Sequence, residues 1–276
     1  MKKSTFVINA LAISFVAIFI KQVGHESAHG ILATLVGAKW TQLNLFYADH
    51  TWLGEPNQLG EGILTGGAAI INIILALICA ALFKNKSIAS RGTLRLLLYY
   101  LTAYNLFAGF GYLFTDPLFY QKGGENLGDW KKIVDMLGGG WNVRLPISLI
   151  GAAGVLWGFF WVARNAHAFI PADKPERFRY ALLLLLVPYV VHDLIFITMS
   201  AIGPLPPEVV PIVAIQYIFG YFGIGWGAFM AGMWIPAQAG LERSAVPESI
   251  QWSWVIASIL LLVVAAFILL PTIQFS

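Results

Sequence analysis

Phe6-Val7-Ile8-Asn9-Ala10-Leu11-Ala12-Ile13-Ser14-Phe15-Val16-Ala17-Ile18-Phe19-Ile20 carries no charge, and apolar sequence resumes at 31–36 after a short polar interruption. A stretch of about 18 apolar residues is enough to cross a hydrocarbon core. Six further stretches match this pattern, at 62–83, 94–114, 145–163, 180–200, 209–234 and 252–270. Lipid gives an open sheet edge no hydrogen-bond partner, so each is expected to be a helix. The expected fold is therefore an all-α, polytopic membrane protein with six or seven transmembrane helices. It reads as a single integral membrane domain over 1–276, with a core at 5–140 and additional membrane helices at 145–271.

Composition points the same way. Of 276 residues, 58% are hydrophobic and 11% charged, where a soluble domain has about 25% charged residues. So few charges exclude an ordinary soluble surface. The single cysteine, Cys79, excludes an intrachain disulfide and a cysteine-only metal site. The net charge of +3 lies in short loops, which fits orientation in a bilayer and gives nucleic acid no basic surface. With the N-terminus inside, Lys2, Lys3, Lys84, Lys86, Arg91, Arg95, Arg164, Lys174, Arg177, Arg179 and Arg243 fall on the inner side. Lys39, Lys122, Lys131, Lys132 and Arg144 fall on the outer side. Met1-Lys2-Lys3 before an apolar run imitates a signal peptide, but no small-x-small site follows, and the first span reads as retained.

That first span is too long. As one helix, 6–38 would measure about 50 Å against a core of about 30 Å, so it must tilt, protrude or break. Gly24 is the expected place for a break. Within this stretch lies His25-Glu26-Ser27-Ala28-His29, an H-E-x-x-H motif. Residues four apart share one helix face. Two imidazoles placed there can bind one zinc ion, with Glu26 beside the open coordination position as general base. Ionisable groups inside a membrane segment are costly, which favours this reading over an incidental polar helix end.

H-E-x-x-H at the end of a long apolar run, followed by Gly37, resembles the site-2 protease family of intramembrane zinc metalloproteases. The glycine-rich stretch Gly66-Gly67-Ala68-Ala69-Ile70-Ile71-Asn72 is similar to the family's stretch that opens the helix ahead of an asparagine. The resemblance covers 14–135. It implies Zn2+ held by His25, His29 and an aspartate from a later helix, with Glu26 catalytic. The family's Asn…Pro…Asp-Gly motif is absent as such, although Asn105-Leu106 matches its asparagine. Asp129, in Glu125-Asn126-Leu127-Gly128-Asp129-Trp130, is the preferred third ligand because it follows a glycine turn and precedes a helix. A Gly-Asp pair is also an ordinary helix N-cap. Asp116, before Pro117, reads as a turn or helix stop and is the alternative ligand, with Asp193 after it.

Other polar residues are weaker candidates. His192-Asp193 sits inside the fifth span and serves either the zinc site or an interhelical hydrogen bond. Asn72 and Asn105 could bind substrate backbone, though helix–helix bonding is commoner. His50 and His167 fall in predicted loops and are expected to be solvated. Gly220, Gly223, Gly225 and Gly227 read as close helix packing or a gate. The glycine-rich connection 123–140 is a candidate water inlet or lid.

The expected activity is hydrolysis of peptide bonds in membrane-spanning protein substrates by a metal-activated water, in a cell membrane. A substrate helix must unwind locally to expose its carbonyls. A transporter or channel using the buried polar residues is one alternative, and an inactive scaffold another. Neither requires the H-E-x-x-H spacing.

Overall fold

The computed structural model describes residues 2–123, 128–207, 209–237, 240–244 and 247–275. Its chain order is α1 (Lys3–Leu35), β1 (Ala38–Leu43), β2 (Ala48–Trp52), α2 (Gln58–Phe83), α3 (Lys86–Ala89), α4 (Gly92–Leu118), α5 (Asp129–Met136), α6 (Trp141–Ala166), α7 (Lys174–Ala181), α8 (Val187–Ile202), α9 (Val210–Gly220), α10 (Phe222–Phe229), α11 (Trp252–Val264) and β3 (Ile273–Gln274). Among the described residues, seven helical stretches are long and apolar enough to cross a membrane: Lys3–Leu35, Gln58–Phe83, Gly92–Leu118, Trp141–Ala166, Lys174–Ile202, Val210–Trp234 and Trp252–Leu269.

Gly24 does not break the first span. Helix α1 runs unbroken over 33 residues because a glycine inside a helix costs only about 1 kcal/mol relative to alanine. Its end is set at Gly37, whose φ of +92° is a left-handed conformation that glycine adopts freely. The chain then turns into a small antiparallel sheet of order β2-β1-β3, unannounced by the hydrophobic pattern. Ala38 pairs with Trp52 and Leu43 with Ala48, and the short β3 joins at Gln42 and Leu43. Helix α2 starts at Asn57, whose side chain accepts the Gly60 N–H at 2.6 Å.

Helices α1 and α4 form the buried centre, and α11 lies at the periphery. Small residues let the helices approach closely. A Cβ on Gly109 of α4 would stand 2.8 Å from the Ala69 carbonyl oxygen of α2, and one on Gly151 of α6 only 2.3 Å from the Phe114 nitrogen of α4. The aromatic face of α4 is buried with its hydroxyls satisfied. Tyr99 donates to the Val162 carbonyl at 2.9 Å, and Tyr100 to that of Leu184 at 2.5 Å. Leu184 lies in a π-helical turn, Leu182–Leu186, where the ordinary helix ladder is interrupted.

In the sixth span, Gly223, Gly225 and Gly227 seat Phe107, Tyr189 and Val162, as close packing requires; Gly220 has nothing within 4 Å of a built Cβ among the described residues. Residues 124–127, part of the expected inlet or lid and of the Asp129 sequence context, lie outside the described residues.

Candidate metal centre

His25 and His29 lie one turn apart on α1, their ring centroids 5.0 Å apart and nearly perpendicular. Asp129, the first residue of α5, faces both. Its Oδ2 lies 3.3 Å from Nε2 of His25, and its Oδ1 lies 3.3 Å from Nε2 of His29. One ligand atom from each residue falls within a set spanning no more than 4.8 Å. Two donors each about 2.0–2.1 Å from a tetrahedral zinc stand about 3.4 Å apart. The 3.3 Å His–Asp distances are compatible with that spacing, as they are with an imidazole–carboxylate pair. Among the described residues, no other cluster of three such groups occurs.

The surroundings fit a cation. Asp129 Oδ2 is buried, and although His25 Nε2 lies 3.3 Å away the two form no well-directed hydrogen bond, an arrangement that a positive charge between them would complete. An imidazole that donates through one nitrogen offers the other to a metal. Nδ1 of His29 lies 2.7 Å from the Leu64 carbonyl oxygen and can donate to it, directing the Nε2 lone pair inward. Nδ1 of His25 lies 2.9 Å from the side-chain amide of Asn72. The nearer atom is the amide nitrogen Nδ2, and turning the amide end for end would present its oxygen to Nδ1 and fix the same tautomer. The ring of Tyr112 stacks on His25 at 5.3 Å, with planes 3° apart.

Packing on α2 brings these elements together. The Gly66–Asn72 stretch does not open α2, which is continuous through it. Its glycines instead seat neighbours: Ile133 of α5 lies over Gly66, and Leu32 of α1 over Gly67. Glu61 of α2 pairs with Lys132 of α5 at 2.7 Å and accepts from Trp52 Nε1 at 2.7 Å.

Glu26 is buried next to the ligands. Gln22, one turn earlier, donates through Nε2 to Glu26 Oε1 and to the Leu45 carbonyl, both at 2.9 Å. The Gln22 Oε1 accepts from Tyr217 at 3.0 Å and from Lys21 at 3.2 Å. The (i, i+4) spacing of Gln22 and Glu26 marks them as neighbours on α1. Nothing in the sequence marks Tyr217 or the Leu64 and Leu45 carbonyls.

The remaining candidates lie elsewhere. Asp116 is in the last turn of α4, which continues through Pro117 to Leu118 instead of stopping. It accepts the Trp130 N–H at 3.0 Å and does not belong to the ligand cluster. His192 is buried with Ser14 and Tyr104, whose hydroxyls stand 3.1 and 3.0 Å from its Nδ1. It forms an interhelical bond, and neither it nor Asp193 joins the ligand cluster. Asn105 donates to the Leu101 carbonyl of its own helix at 2.8 Å. His50 is on strand β2, not in a loop. His167 is buried, not solvated, with its Nε2 2.9 Å from the Ile235 carbonyl oxygen because the chain after the sixth span folds over it.

No family model, curated protein or solved structure matches the chain.

Proposed function

We propose that this protein is an intramembrane zinc metalloprotease that hydrolyses peptide bonds of membrane-spanning proteins in a cell membrane. The convergence of His25, His29 and Asp129 within 4.8 Å, the two histidines on α1, a helix long and apolar enough to be embedded, and the aspartate at the start of the short α5, carries this reading. These three residues would hold a zinc ion, a set of two imidazoles and one carboxylate that is typical of catalytic zinc. Bound zinc supplies Lewis acidity, which polarises a carbonyl and acidifies water.

The chain's own residues do the rest. Glu26 takes a proton from the water that adds to the scissile carbonyl carbon. The C–N bond breaks as Glu26 passes that proton to the leaving amine, giving an amine and a carboxylic acid, which loses its remaining proton to water. Gln22 holds Glu26 from one side through the 2.9 Å bond to Oε1. Asn72 and the Leu64 carbonyl keep the two rings turned toward the ion.

The test is metal content and cleavage together. Purified wild type is expected to hold about one zinc per chain, and His25→Ala, His29→Ala and Asp129→Ala to hold less. Glu26→Gln is expected to keep the metal and lose cleavage of a membrane-spanning model substrate. Cleavage by Glu26→Gln at the wild-type rate would refute the assignment.

A further inference from the structure

Two of the three metal-binding side chains share α1 and keep their spacing as long as that helix exists. The third does not. Asp129 opens an eight-residue helix, so the geometry of the centre depends on where the first turn of α5 is held. The first N–H groups of a helix have no partner within it, and Gly128 at the N-cap position has no side chain to supply one. Asp116 supplies it from α4, its Oδ2 accepting the Trp130 N–H at 3.0 Å. That N–H belongs to the peptide joining Asp129 to Trp130, so fixing it fixes the direction in which Asp129 leaves the backbone.

The supporting parts are built for this contact. Asp116 is only 8% exposed. The turn of α4 that carries it is tied down by Arg144, which donates to the Pro117 and Leu118 carbonyls at 2.6 and 2.8 Å. Gly128 has φ +136°, and a Cβ there would lie 2.9 Å from Asp116 Oδ2. Only a residue without a side chain lets the carboxylate come this close.

We propose that Asp116 is a positioning residue for the metal centre: it does not bind the ion but caps α5 so that Asp129 meets His25 and His29. This rests on the metal-centre reading above. The experiment compares the full-length detergent-solubilised protein with Asp116→Ala, Asp116→Asn and Gly128→Ala. Zn2+ affinity is read by competition with a chelating dye, and site geometry by the visible absorption of bound Co2+.

Asp116→Ala is expected to weaken zinc by about 10- to 100-fold, the usual effect of losing a residue that orients a ligand, and to alter the cobalt spectrum. Asp116→Asn keeps an acceptor oxygen and is expected to stay within a few-fold of wild type. Gly128→Ala is expected to weaken zinc as Asp116→Ala does, and it decides the matter if Asp116→Ala does not fold. Wild-type affinity in both Asp116→Ala and Gly128→Ala, or equal loss in Asp116→Asn and Asp116→Ala, overturns the positioning role alone. A wild type that binds neither metal overturns the centre itself.

Discussion

Asn72 on α2 places its side-chain amide 2.9 Å from Nδ1 of His25 on α1. It is thus an interhelical bond and, on the proposed reading, a constraint on a metal ligand at once. A ring held at Nδ1 presents Nε2 in one tautomer and one orientation. Asn72→Leu is expected to weaken zinc by about 10- to 100-fold, measured by chelator competition. Asn72→Asp, whose carboxylate accepts the Nδ1 proton as the amide oxygen would once turned toward it, is expected to recover most of the loss. Were Asn72 a contact for substrate only, zinc affinity would be the same in all three proteins.

The helix contacts can be tested with glycines that differ only in what surrounds them. A Cβ on Gly151 of α6 would meet the α4 backbone at Phe114 at 2.3 Å, and backbone cannot rotate away as a side chain can. A Cβ on Gly111 meets nothing within 4 Å among the described residues. Gly151→Ala is expected to lower stability by about 1–3 kcal/mol, the usual cost of overpacking. Gly111→Ala should be neutral or slightly stabilising. Thermal denaturation in one detergent compares the two, and equal melting temperatures would count against the close α4–α6 crossing.

The helices and the ligands were legible in the sequence to different degrees. Apolar length places all seven spans because the bilayer imposes one requirement on each of them. The spacing of His25 and His29 is a property of one helix, so it too can be read directly. Asp129 was reachable only by weighing it against Asp116 and Asp193, since a third ligand comes from a distant element and spacing says nothing about it. What Asp116 does instead was not legible, because capping a helix from another helix leaves no local signature. The β1–β2 hairpin escaped because it follows a helix rich in apolar residues and is too short to show a clear alternation. His167 looked solvated because a loop position does not reveal that the chain near Ile235 returns to cover it.

His192 separates the two kinds of buried histidine in this chain. Its Nδ1 faces the hydroxyls of Ser14 and Tyr104, and it lies outside the ligand cluster. His192→Ala is expected to retain wild-type zinc content while losing about 1–3 kcal/mol of stability, because the buried hydroxyls of Ser14 and Tyr104 lose the ring and keep only each other, 3.3 Å apart. His25→Ala should lose zinc instead. Elemental analysis beside a melting curve distinguishes them, and zinc loss in His192→Ala would return that residue to the metal site.

Gly24 offers the sharpest test of whether α1 bends during the reaction. It lies one residue before the first ligand, and in a helix of this length it is the natural place for a hinge. Yet α1 passes through it unbroken, and a built Cβ finds no atom within 4 Å among the described residues. Alanine therefore fits without displacing anything, and it removes the entropy that glycine loses on folding, a gain of about 0.5–1 kcal/mol. Gly24→Ala is expected to raise the melting temperature and leave zinc affinity and substrate cleavage unchanged. A rigid helix and a hinged one predict opposite results for cleavage. If Gly24→Ala is more stable, fully loaded with zinc and yet slow, the helix must bend at that point to admit substrate, and the unbroken α1 is its resting form only.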